Sequence, residues 1–177
     1  MRKLEYGFIQ IYTGNGKGKS TAAIGQAVRA AGAELKSYII QFMKDYPYSE
    51  LNALNLLDKW ITIEKVGSDD YVFRKEPPPQ EEINLAKAVL NSAKEKMLSG
   101  KYDLIILDEV CVAIYFGLFS ANDIIQFLKS KPANVELILT GRYCPQILLN
   151  MADLVTEMRE VKHYYQKGIQ SRKGIDS

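Results

Sequence analysis

Two kinds of apolar spacing alternate along the chain. Short runs of apolar and β-branched residues read as strands, and longer stretches with apolar residues every three or four positions read as helices. The strand readings are Gly7–Tyr12, Lys36–Phe42, Ile61–Val66, Tyr102–Leu107, Val135–Thr140 and Leu154–Val161. Between them, helices are predicted over Lys19–Ala31, Ser49–Leu57, Gln80–Ser99, Ser120–Ser130 and Cys144–Met151. In the longest helix, Ile83, Ala86, Leu90, Ala93 and Met97 mark one face, with lysines and glutamates opposite. Ser120–Ala121–Asn122–Asp123 resembles a capping box, and Gly32 stands where a helix C-cap is expected. Tyr102–Leu107 is almost continuously apolar, as a strand buried on both faces requires. No internal repeat, linker or low-complexity tract interrupts this order, so residues 1–177 are expected to form a single α/β domain.

The first strand runs into Tyr12–Thr13–Gly14–Asn15–Gly16–Lys17–Gly18–Lys19–Ser20–Thr21, and a helix follows. That is the context of a phosphate-binding loop. Glycines let the backbone fold tightly and turn N–H groups onto an anion. The helix N-terminus adds roughly half a positive charge at the same spot. Lys19 supplies a mobile point charge for phosphate oxygens, and the Ser20 hydroxyl is suited to Mg²⁺. Thr13 stands where the first glycine is usual, and Lys17 is an extra cation. The nucleotide-binding set read from the loop is Thr13, Gly14, Asn15, Gly16, Lys17, Gly18, Lys19, Ser20 and Thr21. The loop predicts a P-loop NTPase-like, three-layer fold with a mostly parallel central sheet.

Asp108–Glu109 closes the apolar run at 102–107 and provides the acidic half of a nucleotide site. Ser20, Glu109 and Asp108 are therefore the expected metal set, provided that strand lies near the loop. Gln41, Lys44, Asp45 and Tyr46 cluster at another strand end, where an open α/β sheet faces its ligand. Arg29, roughly three helical turns past the loop, reads on spacing alone as a surface arginine, whereas Arg142, just past a strand end, fits a phosphate contact and an exposed surface position equally. Gly67–Arg74 is a loop holding Tyr71 and Phe73, stiffened at its exit by Pro77–Pro78–Pro79.

Composition narrows the classes. With 23 basic and 21 acidic residues the net charge is +2, which gives no electrostatic argument for nucleic acid or an anionic membrane. No apolar run approaches the roughly 20 residues needed to span a bilayer, and Met1–Glu5 is not a signal peptide. Cys111 and Cys144 are far apart in sequence and form no CxxC pair, so free thiols in a cytoplasmic protein are expected. The single histidine cannot make a metal site.

Several of these stretches together resemble the P-loop ATP:corrinoid adenosyltransferases. The matching stretches are Gly14–Ala23, Gln41–Phe42, Leu107–Asp108–Glu109, Thr140–Gly141–Arg142, Ala152–Met158, Lys162–His163 and Gly174–Ile175. The resemblance implies transfer of the 5′-deoxyadenosyl group of ATP to the cobalt of reduced cob(I)alamin or a related corrinoid, releasing triphosphate. The cobalt is then the nucleophile, and the protein supplies position and charge. Lys19 and Glu109 become the catalytic pair, with Mg²⁺ as cofactor. Arg29 and Arg142 match positions at the nucleotide. Tyr71 and Phe73 match an aromatic pair at the lower face of the corrin, although Phe73 stands where tryptophan is usual. The resemblance also implies a homodimer and a flavoprotein reductant as partner. The competing readings are a P-loop ATPase or small-molecule kinase, whose reacting group is the γ-phosphate, and a non-catalytic ATP-sensing module.

Overall fold

Along Leu104–Asp108 the side chains alternate between two cores, which is the geometry of a strand covered on both faces. Leu104 and Ile106 pack with Ala23, Ala27, Ala30, Ala31, Ile39 and Ile138 on one face. Ile105 and Leu107 pack with Tyr38, Phe42, Ala93, Met97 and Phe127 on the other. The computed structural model describes residues 4–45, 48–67 and 76–176. Tyr46, Tyr71 and Phe73 lie outside the described residues.

The strands are β1 (Ile9–Thr13), β2 (Ser37–Phe42), β3 (Ile61–Val66), β4 (Leu104–Asp108), β5 (Glu136–Thr140) and β6 (Leu154–Glu157). They form one six-stranded sheet in the order β3-β2-β4-β5-β1-β6, and every pairing is parallel. Between them run α1 (Lys19–Gly32), α2 (Glu50–Leu54), α3 (Gln80–Leu98), α4 (Val110–Tyr115), α5 (Ala121–Lys129) and α6 (Gln146–Leu149). The alanines of α1 let it lie close on one face, and α3, α4 and α5 cover the other. The expected α/β layers are thus present. Truncating a fully buried residue such as Ile106 to alanine would cost about 2–5 kcal/mol.

The acidic strand lies one place from the loop strand, with β5 between β4 and β1. Two expectations are corrected. A strand predicted to Val161 ends at Glu157, because β1 stops at Thr13 and turns into the loop. Met158 N–H still reaches the Thr13 carbonyl at 2.8 Å, but Met158 O then turns to the loop. The helix expected from Cys144 begins only at Gln146, with Pro145 held in an extended conformation before it.

Candidate active site

All six strands are parallel, so β1, β2, β4 and β5 end on one edge of the sheet, where the loop sits. The loop packs against the chain leaving β6. Gly16 N–H donates to Met158 O at 2.6 Å. A Cβ on Gly14 or Gly16 would lie 2.5 or 2.6 Å from that same oxygen, so no larger residue fits either position without displacing backbone. The expectation that the loop N–H groups point at an anion holds no place for Gly16, whose N–H is already bonded. Thr13, where a glycine is usual, donates its hydroxyl to Gly141 O at 2.9 Å and ties the loop to the end of β5.

Lys19 opens α1 and is buried, with Nζ donating to Gly16 O at 2.7 Å. Burial pushes its ammonium below the usual lysine range. Glu109 opposes that shift, and Arg142 reinforces it. The lysine thus arches back over the loop.

Asp108, 1% exposed, is the centre of the cluster. Its carboxylate accepts from Thr140 Oγ1 at 2.7 Å, from Gln41 Nε2 at 3.2 Å and from Lys44 Nζ at 2.8 Å. Burial alone would raise this carboxyl. The charge and hydrogen bond of Lys44, with the Thr140 hydroxyl, outweigh burial and hold it below the usual range. Lys44 Nζ also lies 3.5 Å from Ser20 Oγ.

Glu109 follows in a left-handed conformation, φ 61°, that few non-glycine residues adopt. Its N–H donates to Thr140 Oγ1 at 2.8 Å. The same hydroxyl therefore anchors both acids from the intervening strand. Burial, then the neighbouring Asp108 charge, raises the Glu109 carboxyl above its ordinary value. Outliers of this kind concentrate at functional sites. Here the outlier turns the chain sharply out of β4 and into α4.

The expected residues divide accordingly. Lys19, Ser20, Asp108 and Glu109 share one electrostatic neighbourhood, and Arg142, exposed at the end of β5, acts on both Lys19 and Glu109. Arg29 is not brought to it: α1 carries it about 15 Å from Lys19, to an exposed position whose charge acts on Tyr12. Asn15, Lys17 and Thr21 are exposed on the loop, while Gly14 and Gly18 are half-buried. Sequence reasoning placed Gln41 among the strand-end residues facing a ligand and gave Thr140 no role of its own, and both bond Asp108. Their place at strand ends, and Thr140's membership of the Thr–Gly–Arg stretch, were the available signals.

Lys17 carries a different surprise. Its Nζ donates to Ile175 O at 2.7 Å and pairs with Asp176 at 3.2 Å. Asp176 also accepts from the Tyr164 hydroxyl and from the Arg172 backbone N–H and Nε, the last two at 3.1 Å each. The extra cation of the loop is thus the anchor of a folded tail. Asp176→Asn is expected to speed amide exchange across residues 164–176 by roughly tenfold or more, the scale of one charge-assisted hydrogen bond. Unchanged exchange would show that the tail is held without this carboxylate. The two cysteines also meet: their thiols share a hydrogen bond, which together with burial pushes Cys111 up.

Among the described residues no helix is long and apolar enough to cross a membrane. The family model for "ATP:corrinoid adenosyltransferase BtuR/CobO/CobP" matches residues 5–177. A corrinoid adenosyltransferase of Escherichia coli K12 is 33% identical over 174 residues, covering 97% of this chain and 86% of its own. The corrinoid adenosyltransferase CobA of Salmonella typhimurium is 33% identical over the same shares, and a corrinoid adenosyltransferase of Pseudomonas aeruginosa is 28% identical over 97% and 84%. Among solved structures, the flagellar accessory protein FlaH of Methanocaldococcus jannaschii superposes with a TM-score of 0.62 at 16% identity, over 87% of this chain and 72% of that one. At that identity the likeness shows the fold alone.

Proposed function

This chain belongs to the ATP:corrinoid adenosyltransferase family, and from that membership we propose which of its residues do the work. It is an enzyme that adenosylates corrinoids with ATP. In the proposal, the loop over Thr13–Thr21 cradles the triphosphate, with Lys19 as its principal charge. Reduced cobalt of the corrinoid substrate takes the 5′ carbon, and triphosphate leaves as a whole. The observation that carries this reading is the buried Lys19 ammonium, poised over the loop and bonded, among the described residues, only to a backbone carbonyl of that loop.

The donor set also fits a divalent cation. Ser20, Asp108 and Glu109 offer oxygen only, the chemistry Mg²⁺ prefers, and an ammonium already lies between Ser20 and Asp108. Mg²⁺ bound there would neutralise charge on the departing triphosphate. The protein's own part is to hold these groups still: Thr140 fixes both acids, and Thr13 fixes the loop to the end of β5. Arg142 joins this set on its electrostatic proximity; Arg29 does not, given its distance along α1.

Tyr71 and Phe73 are proposed to face the corrin and exclude its lower axial ligand, as large rings can. Their support is the family spacing, together with β3, which delivers the chain to that segment at the same sheet edge as the loop. A single functional domain and a cytoplasmic setting, read from chain length and cysteine usage, and a homodimer and a flavoprotein electron donor, which rest on the family resemblance, complete the proposal.

The metal assignment is tested with Glu109→Gln, which keeps shape and removes charge. Turnover is expected to fall about tenfold or more at low Mg²⁺ and to recover in part as Mg²⁺ is raised. Retention of full adenosyl transfer, with loss of a background ATPase only, would instead make Glu109 a water-activating base.

A further inference from the structure

Lys44 stands at the end of β2 and is 8% exposed, among the few buried charges of the chain. A buried lysine needs a partner, and Asp108 is 2.8 Å away. An ordinary structural ion pair would end there. This one does not, for two reasons. Asp108 is already bonded from both flanking strands, by Gln41 of β2 and Thr140 of β5. Lys44 comes in from the loop side, where its ammonium also reaches Ser20 Oγ at 3.5 Å. One positive charge thus lies beside both the hydroxyl of the phosphate loop and the carboxylate at the end of β4, two groups that also act on each other.

We propose that Lys44 is the resident cation of the nucleotide-free site: its ammonium holds the gap between Ser20 and Asp108 until the metal of an incoming nucleotide exchanges with it. The inference rests on the metal placement proposed above and deepens it. Two positive charges cannot share a gap this narrow without strong repulsion in a site shielded from water. Mg²⁺ alone offers Asp108 nothing that Lys44 does not already provide. Mg²⁺ with a triphosphate does, because the phosphate oxygens complete the metal's shell and give the displaced ammonium new anions. Lysine suits the exchange, since its charge rides on a flexible four-carbon stem. The same ammonium already faces the Tyr48 ring, whose centroid lies 4.9 Å from Nζ, so the lysine keeps one contact when it leaves Asp108. The consequence is an ordered site, which takes metal together with the nucleotide and ignores the free ion.

The test uses the free ion without nucleotide. Lys44→Met removes the charge and keeps the stem; Lys44→Gln also keeps an amide donor for Asp108. Mn²⁺ serves as the probe, with the free ion counted by electron paramagnetic resonance, and Mg²⁺-dependent melting temperature is the second readout. The variants are expected to bind Mn²⁺ at least roughly a hundredfold more tightly than the wild type, a modest share of the repulsion between two such charges about 4 Å apart. Mg²⁺ alone should raise their melting temperature and leave that of the wild type unchanged. Combining Lys44→Met with Asp108→Asn should abolish the gain, which places the ion at Asp108. Wild-type protein that takes up Mn²⁺ as tightly as the variants would overturn the proposal, as would a folded Lys44→Gln protein that gains no affinity. Should Lys44→Met fail to fold, Lys44→Gln decides. These titrations contain neither ATP nor corrinoid, so a failure of adenosyl transfer does not bear on them. Failure of the metal placement itself shows instead in the Glu109→Gln series.

Discussion

Lys19→Ala is expected to reduce adenosyl transfer by roughly 100- to 1,000-fold, the range found when one preorganised charge-stabilising donor is removed from an active site. Lys19 is the buried cation at the start of α1, and its ammonium is held over the loop by a single bond to Gly16 O. In the proposed reaction triphosphate leaves over this loop, and negative charge collects at that position. A charge already fixed there needs no reorganisation at the moment of reaction. The fold should survive the change, because the side chain bonds only within its own loop; a stability loss of about 1 kcal/mol is expected. Near-normal turnover of a folded Lys19→Ala protein would remove the phosphate loop from the mechanism.

Thr140→Val is expected to damage both stability and turnover. Valine matches threonine in shape, so packing is kept and only the hydroxyl is lost. That hydroxyl donates to Asp108 Oδ1 at 2.7 Å and accepts from Glu109 N–H at 2.8 Å, and Thr140 is fully buried. The Glu109 N–H loses its partner and the buried Asp108 carboxylate loses one of its bonds while keeping those from Lys44 and Gln41, so a loss of about 1–3 kcal/mol is expected by denaturant unfolding. Turnover should fall with it, because the left-handed turn at Glu109 loses the bond that fixes it. Thr140→Ser restores the hydroxyl and should recover most of both. Wild-type stability and turnover in Thr140→Val would show that the hydroxyl carries neither, and a loss confined to Thr140→Ser would assign the position to its methyl group and packing.

Much of the fold was legible because both faces of the sheet are covered. Covered strands such as β2 and β4 must be almost wholly apolar, and that pattern stands out from the amphipathic spacing of α3. The loop was legible for a different reason: its glycines are forced by backbone contact with Met158 O, which leaves little freedom of sequence. Strand order was not legible, since apolar runs carry no record of their neighbours. The insertion of β5 between β1 and β4 therefore hid the role of Thr140. The end of β6 was misread because its apolar residues continue past the point where β1 turns away. Side chains such as Lys44, Lys17 and Asp176 gave no periodic signal. Their partners lie across long separations in sequence, and only the fold brings them together.

An adenosyltransferase loop holds a leaving triphosphate, whereas an ATPase or kinase loop holds a reacting γ-phosphate. The most direct measurement is product analysis under anaerobic conditions, with purified protein, ATP, Mg²⁺ and chemically reduced cobalamin. Adenosylated corrinoid and intact triphosphate should form in equal amounts, and neither should form when reduced corrinoid is omitted. Release of ADP and phosphate without any adenosylated corrinoid would contradict the account and return the site to the chemistry of a P-loop ATPase or kinase.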